Sequence, residues 1–146
     1  MNNDRAWRIV ESVELGAPAA DVWQLVGGFF NLHTWHPDIE KTEIPKNQTE
    51  TSAIRRVLTF PGQPVTIEEL IFMDNERFHY RYKWHQGEWG EHVRNYVAEI
   101  RLFELPESNR CSFQWSSTFN NPENAISEFY RNGFQELQKR FPLQGS

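Results

Sequence analysis

The spacing of apolar residues changes near the end of this 146-residue chain. After residue 121, apolar side chains recur every three or four positions, as expected for a helix with one apolar stripe: Ile126, Phe129, Tyr130, Gly133, Phe134, Leu137 and Phe141. A helix of about 20 residues and a strand of about nine residues are both close to 30 Å long. The pattern therefore predicts one long C-terminal helix that covers a bent antiparallel sheet.

Segments that alternate apolar and polar residues fill most of the remaining chain, and this alternation is typical of half-buried strands. The predicted strands are RAWRIVESVEL, AIRRVLTF, VTIEELIFMD, RFHYRYKW, HVRNYVAEIRLFEL and CSFQWSSTF. After the first strand, GAPAADVWQLV predicts a short helix with Pro18 at its start. FNLHTW predicts a second short helix, which Pro37 ends because proline cannot supply a helical N–H. With no repeat or linker, residues 1–146 are predicted to form a single α+β domain.

The charge and cysteine content exclude several function classes. There are 15 Lys and Arg residues against 20 Asp and Glu residues, and no basic block is present to neutralise phosphates. We therefore expect no nucleic-acid partner. No window reaches the roughly 18 apolar residues of a membrane span, and the N-terminus lacks a signal-peptide pattern, so no membrane insertion is expected. The single cysteine, Cys111, rules out an internal disulfide and favours the cytoplasm.

Aromatic residues make up an unusual share of the apolar material. The chain has 11 Phe, 6 Trp and 4 Tyr residues, although only 38% of its residues are hydrophobic. Large flat side chains can fill a core, or they can line a cavity for a flat or apolar ligand. Composition leaves both alternatives open.

The hairpin AIRRVLTF-PGQP-VTIEEL brings two arginines opposite two glutamates. With a loop of two or four residues, Arg55 and Glu68 share one face of the sheet, and Arg56 and Glu69 share the other. On a solvent face, each cross-strand pair would contribute about 0.2–1 kcal/mol. The residues do not choose the inward face, because the Arg56 face then also carries apolar side chains: Ile54, Leu58, Ile67 and Ile71.

The tripeptide Trp35-His36-Pro37 follows the second short helix. Tryptophan is usually packed, and histidine titrates near neutral pH. Two interpretations fit: a surface corner packed by the indole ring, or a histidine at the wall of a pocket. We expect Trp35 to lie in the interior and His36 to reach the cavity near its mouth.

Seven short motifs occur in an order that resembles a known family: APAADVW, WHP, AIRRVLTFPG, EEL, Tyr82, RNY at 94–96 and WSSTF at 115–119. Together with the predicted elements, they are similar to the START-related helix-grip superfamily (SRPBCC), in its polyketide cyclase/dehydrase branch, over about residues 8–141. The resemblance implies an α+β helix-grip fold, in which a bent antiparallel sheet wraps around a long C-terminal helix and two short helices follow the first strand. It also implies a deep internal cavity.

The resemblance turns Arg55 and Glu68 toward that cavity and implies that they act with His36 if the protein is an enzyme. A guanidinium could stabilise an enolate while Glu68 or His36 moves a proton. The side chains that the resemblance places in contact with ligand are Trp35, Val57, Thr66, Tyr82, Trp84, Tyr96, Ala98, Trp115, Phe119, Phe129, Tyr130, Gly133 and Phe134.

Three functions follow from the resemblance and stay open at this point. The leading one is binding of a small hydrophobic or aromatic molecule. The others are a cyclase or dehydratase, and a protein-interaction module whose FPGQP and EHV loops close over a ligand. No cofactor or metal is expected, because His85, His92 and the acidic residues between them match no metal-site spacing. Monomer and homodimer remain equally compatible with the chain.

Overall fold

The computed structural model describes residues 6–46, 48–49, 52–86, 93–121 and 124–143. Its elements in chain order are β1 (Ala6–Leu15), α1 (Ala19–Val26), a 3₁₀ helix (Leu32–Thr34), β2 (Lys41–Glu43), β3 (Arg55–Thr59), β4 (Thr66–Asp74), β5 (His79–Gln86), β6 (Arg94–Leu105), β7 (Arg110–Asn120) and α2 (Asn124–Arg140).

The strands form one antiparallel sheet in the order β1-β7-β6-β5-β4-β3-β2. The sheet is bent, and α2 packs on its inner face through ring contacts such as Trp115 with Tyr130 and Phe113 with Phe134. The predicted helix-grip α+β fold is confirmed. No helix within the described residues has the length and apolar character needed to cross a membrane.

The corner formed by Trp35, His36 and Pro37 has the predicted form. The backbone N–H groups of Trp35 and His36 both donate to the carbonyl of Leu32, at 3.3 and 2.9 Å. Pro37 has no N–H and ends the turn. Trp35 is only 2% exposed and contacts Phe113, so the predicted interior position is confirmed.

The β3–β4 hairpin has a register one residue away from the predicted one. Gln63 N–H donates to the Phe60 carbonyl at 3.1 Å, which closes a turn with Pro61 and Gly62 at its centre; Gly62 has a φ of 73°. This is the proline-then-glycine order of a type II turn. The last paired residues of the ladder, Leu58 and Thr66, have seven residues between them, which is an odd number.

A shift of one residue exchanges the two faces of a strand. Arg56 consequently lies opposite Glu68 on the inner face, and Arg55 lies opposite Glu69 on the outer face. The expectation that Arg55 faces inward is wrong, and so is the expectation for Val57, which shares the Arg55 face. Glu68 does face inward, as predicted.

Candidate functional site

A fully buried ion pair lies on the inner face of the sheet. Arg56 is 0% exposed, and its Nε and Nη2 atoms donate to Oε1 of Glu68 at 2.9 and 2.7 Å. Its Nη1 atom donates to the Phe29 carbonyl at 2.8 Å and to the Tyr80 hydroxyl at 3.3 Å. The guanidinium also lies over the rings of Phe29 and Tyr82, 4.2 and 4.8 Å from their centroids. Hydrogen bonds and ring faces thus replace the water that a buried charge loses.

Hydroxyl groups continue this polar region toward α2. The hydroxyl of Tyr82 accepts a hydrogen bond from Nε1 of Trp115 at 3.0 Å. The hydroxyls of Tyr96 and Tyr130 hydrogen bond to each other and join the sheet to the helix. The indole of Trp115 stacks on the Tyr130 ring with centroids 4.3 Å apart. The predicted cavity-lining rings are therefore in contact with one another.

Burial dominates the electrostatics of these groups. It raises the pKa of Tyr82 and Tyr96 well above the ordinary value, so both phenols stay neutral donors. Burial also raises the pKa of Glu68, and the contact with Arg56 opposes that rise. Burial alone would lower the pKa of Arg56, but Tyr80, Glu68 and Tyr82 together raise it above the ordinary value. The guanidinium keeps its charge.

His36 joins the corner after the 3₁₀ helix to α2. Its Nε2 atom lies 2.6 Å from the Phe129 carbonyl oxygen, and its Nδ1 atom accepts the backbone N–H of Asp38 at 3.1 Å. A carbonyl can only accept, so this pattern assigns the hydrogen to Nε2. The imidazole also stacks on the Phe129 ring, with centroids 3.9 Å apart. Burial lowers the pKa of His36 from 6.5 to about 4, against smaller opposing effects of Phe129 and Asp38, and the ring is neutral.

Gly133 allows this close approach of His36 and α2. A Cβ atom at position 133 would lie 2.8 Å from Cδ2 of His36 and 3.1 Å from the Trp35 ring. The imidazole cannot yield easily, because hydrogen bonds hold both of its nitrogens. Gly133 is predicted to contact ligand, but in the structure it packs α2 against Trp35 and His36.

We expect Gly133→Ala to lower the free energy of unfolding by about 1–3 kcal/mol through this clash. The clash outweighs the roughly 1 kcal/mol by which alanine favours a helix over glycine. Urea unfolding measures the change. Gln135→Ala, at an exposed position of α2, is the control and should stay within about 0.5 kcal/mol of the parent. A Gly133→Ala variant more stable than the parent would contradict the contact.

A cavity of about 400 Å³ opens beside the His36–Phe129 stack. It lies between the corner after Trp35, the β3–β4 loop and the first turns of α2. We call it the mouth cavity, and its lining residues are Pro37, Asp38, Phe60, Pro61, Gln63, Ala125, Glu128, Phe129 and Asn132. Its volume lies within the range of small-molecule sites, roughly 300–1,000 Å³.

Most of the predicted site residues lie in the interior. The buried ones are Trp35, His36, Thr66, Glu68, Tyr82, Tyr96, Ala98, Trp115, Phe119, Phe129, Tyr130, Gly133 and Phe134. Trp84 is half-buried and stacks on Tyr96 with centroids 4.8 Å apart. Only Phe129 of this set lines the mouth cavity, and His36 lies directly behind it. Arg55 and Val57 stay on the outer face.

Several residues of the site were not identified from the sequence. Arg56 and Tyr80 belong to the buried polar region, and Asp38, Phe60 and Glu128 line the mouth cavity. An odd loop length would have identified Arg56, and the alternation in RFHYRYKW already placed Tyr80 on the same face as Tyr82.

The side chains considered for a metal site lie partly within and partly outside the described residues. Within the described part of the chain, no group of three or more His, Cys, Asp and Glu side chains is placed to hold a metal ion. His92 and its neighbours Glu88 and Glu91 lie outside the described residues.

Known proteins share this architecture. An uncharacterised protein from Bacillus thuringiensis superposes with a TM-score of 0.80 at 29% identity, over 92% of this chain and 98% of that one. The protein XoxI from Bacillus cereus superposes with a TM-score of 0.81 at 30% identity, over 92% and 94%. A Nitrosospira multiformis protein at 19% identity, with a TM-score of 0.78 over 92% and 96%, shares the fold.

A comparison with curated proteins found no match. A family model, by contrast, matches nearly the whole domain. It is described as polyketide cyclase / dehydrase and lipid transport, and it covers residues 6–141. The chain belongs to this polyketide cyclase/dehydrase and lipid transport family.

Proposed function

We propose that the protein binds a small hydrophobic or aromatic molecule in the mouth cavity, with the ligand's apolar part against Phe60 and Phe129. The observation that carries this proposal is the cavity itself, which has the volume of a small-molecule site and an aromatic floor. Family membership supports the same class of ligand. We place this function in the cytoplasm, supported by the single cysteine, Cys111, which is free and buried.

The hydrogen bonds and ion pairs that His36, Glu68 and Arg55 already make favour binding over catalysis. Both nitrogens of His36 are engaged by main-chain atoms, so neither is available to exchange a proton with a ligand. Oε1 of Glu68 accepts two hydrogen bonds from Arg56. Arg55 pairs with Glu69 on the outer face and cannot stabilise a charge in the interior. The polar groups support the scaffold around the cavity.

The test uses N-phenyl-1-naphthylamine, a neutral apolar dye that fluoresces when it leaves water. We expect saturable binding at one site per protein. Ala125→Trp should weaken binding at least tenfold, about 1.4 kcal/mol, because the indole fills space that the dye needs.

Gln135→Trp is the matched control, because it adds the same side chain to the exposed face of the same helix. It should leave dye affinity unchanged, and both variants should retain the parent's urea midpoint. Equal dye affinity in parent and folded Ala125→Trp would refute the mouth cavity as the binding site.

A further inference from the structure

The chemistry of the mouth cavity points to a particular class of ligand. We propose that it selects an organic cation, a protonated amine or quaternary ammonium group attached to an apolar body. This inference rests on the proposed function, since it names the ligand class for the same cavity.

The charged side chains of the cavity are all acidic. Asp38 lines it from the corner before β2 and Glu128 lines it from α2, and its described lining includes no Lys, Arg or His. Nδ2 of Asn132 donates to Oδ2 of Asp38 at 2.9 Å and holds that carboxylate in place. A ligand carboxylate or phosphate would meet two like charges there, whereas a cation would meet two opposite ones.

The aromatic residues favour the same charge. The Phe60 and Phe129 rings lie 5.7 Å apart between centroids, and both line the cavity. The face of an aromatic ring attracts a cation electrostatically, and quaternary ammonium groups are recognised in this way. Two carboxylates with two phenyl rings thus complement a positive charge and the methylene or methyl groups around it.

Among the described residues of the inner face, the buried basic side chains are already hydrogen bonded. His36, behind Phe129, is neutral and has both nitrogens hydrogen bonded. Among the described residues, Arg56 carries the buried guanidinium of the inner face, and Glu68, the Phe29 carbonyl and Tyr80 accept from four of its five N–H groups. An anionic ligand would therefore lose water at the mouth without gaining a cationic partner further in.

The experiment compares three probes that share one ring and chain: the cation 3-phenylpropyltrimethylammonium, the neutral 3-phenylpropanol and the anion 3-phenylpropanoate. Amide NMR titrations at low ionic strength locate the site through Ala125 and Asn132 and measure each affinity. We expect the cation to bind about tenfold tighter than the neutral probe, and the anion to bind weakest. Added salt should reduce the preference for the cation.

Glu128→Gln should weaken cation binding about threefold and leave the neutral probe unchanged. Glu136→Gln lies on the same helix outside the cavity and alters the net charge equally, so it should leave all three affinities unchanged. Equal affinities for cation and anion, or equal effects of the two substitutions, would overturn the charge selection while leaving ligand binding intact. If none of the probes shifts Ala125 or Asn132, the proposed function fails together with this inference.

Discussion

Replacing Arg56 with methionine should lower the free energy of unfolding by about 3–5 kcal/mol, because it leaves the Glu68 carboxylate buried without its partner. The double variant Arg56→Met with Glu68→Leu removes both charges and should recover most of this loss. Two apolar side chains of similar volume often replace a buried ion pair at little cost. Urea unfolding of the single and double variants, with equal m-values, measures the coupling.

The outer face provides a matched control for this prediction. Arg55 and Glu69 are the sequence neighbours of Arg56 and Glu68. Nε of Arg55 lies 3.0 Å from Oε1 of Glu69, and the Arg55 side chain is 36% exposed. Arg55→Met should therefore cost less than about 1 kcal/mol, as for other solvent-exposed pairs. Small and additive effects at Arg56 and Glu68 would show that the two side chains are not a buried pair.

The second large effect is a dependence of stability on pH that originates from His36. Its pKa is lowered from 6.5 to about 4 by burial, so between these values the unfolded chain binds a proton that the folded protein does not. The stabilisation from the neutral ring is complete above pH 6.5 and is lost as the pH falls toward 4. Linkage converts this difference into about 3 kcal/mol.

His36→Gln isolates this contribution, because the amide side chain can still donate a hydrogen bond but has no charge to gain. The difference in unfolding free energy between the parent and His36→Gln should change by about 3 kcal/mol from pH 6.5 to 4. Carboxylates titrate in both proteins and cancel in this difference. His33→Gln makes the same substitution at an exposed histidine of the preceding turn and is the matched control. A pH-independent difference for His36→Gln would disprove the burial effect.

Hydrophobic periodicity predicted the architecture because each element buries one face. The three- and four-residue spacing in α2 predicted its apolar stripe, and Phe129, Tyr130 and Phe134 are buried as that spacing requires. Pro37 ended the short helix through its missing N–H, which is a local property. Long elements with a regular pattern could therefore be assigned from residues alone.

The assignment of inner and outer charges in β3 and β4 could not be predicted with the same reliability. Both faces carry one arginine and one glutamate, so polarity does not distinguish them, and one additional loop residue reverses the result. The mouth cavity depends on three segments distant in sequence, represented by Asp38, Phe60 and Glu128. Their approach is set by the packing of α2 on the sheet, which no local pattern reports.

The two hydrogen bonds of His36 both end on main-chain atoms, the Asp38 amide and the Phe129 carbonyl. Every amino acid except proline provides the first of these groups, and every amino acid provides the second. The two hydrogen bonds of His36 therefore survive a change of side chain at position 128 and any change except proline at position 38, although replacing Asp38 removes the separate hydrogen bond from Asn132. Substitutions at positions 38 and 128 can consequently change the ligand preference of the mouth cavity while His36 still joins the corner to α2. These two positions are therefore the natural choice for redesigning what the protein binds.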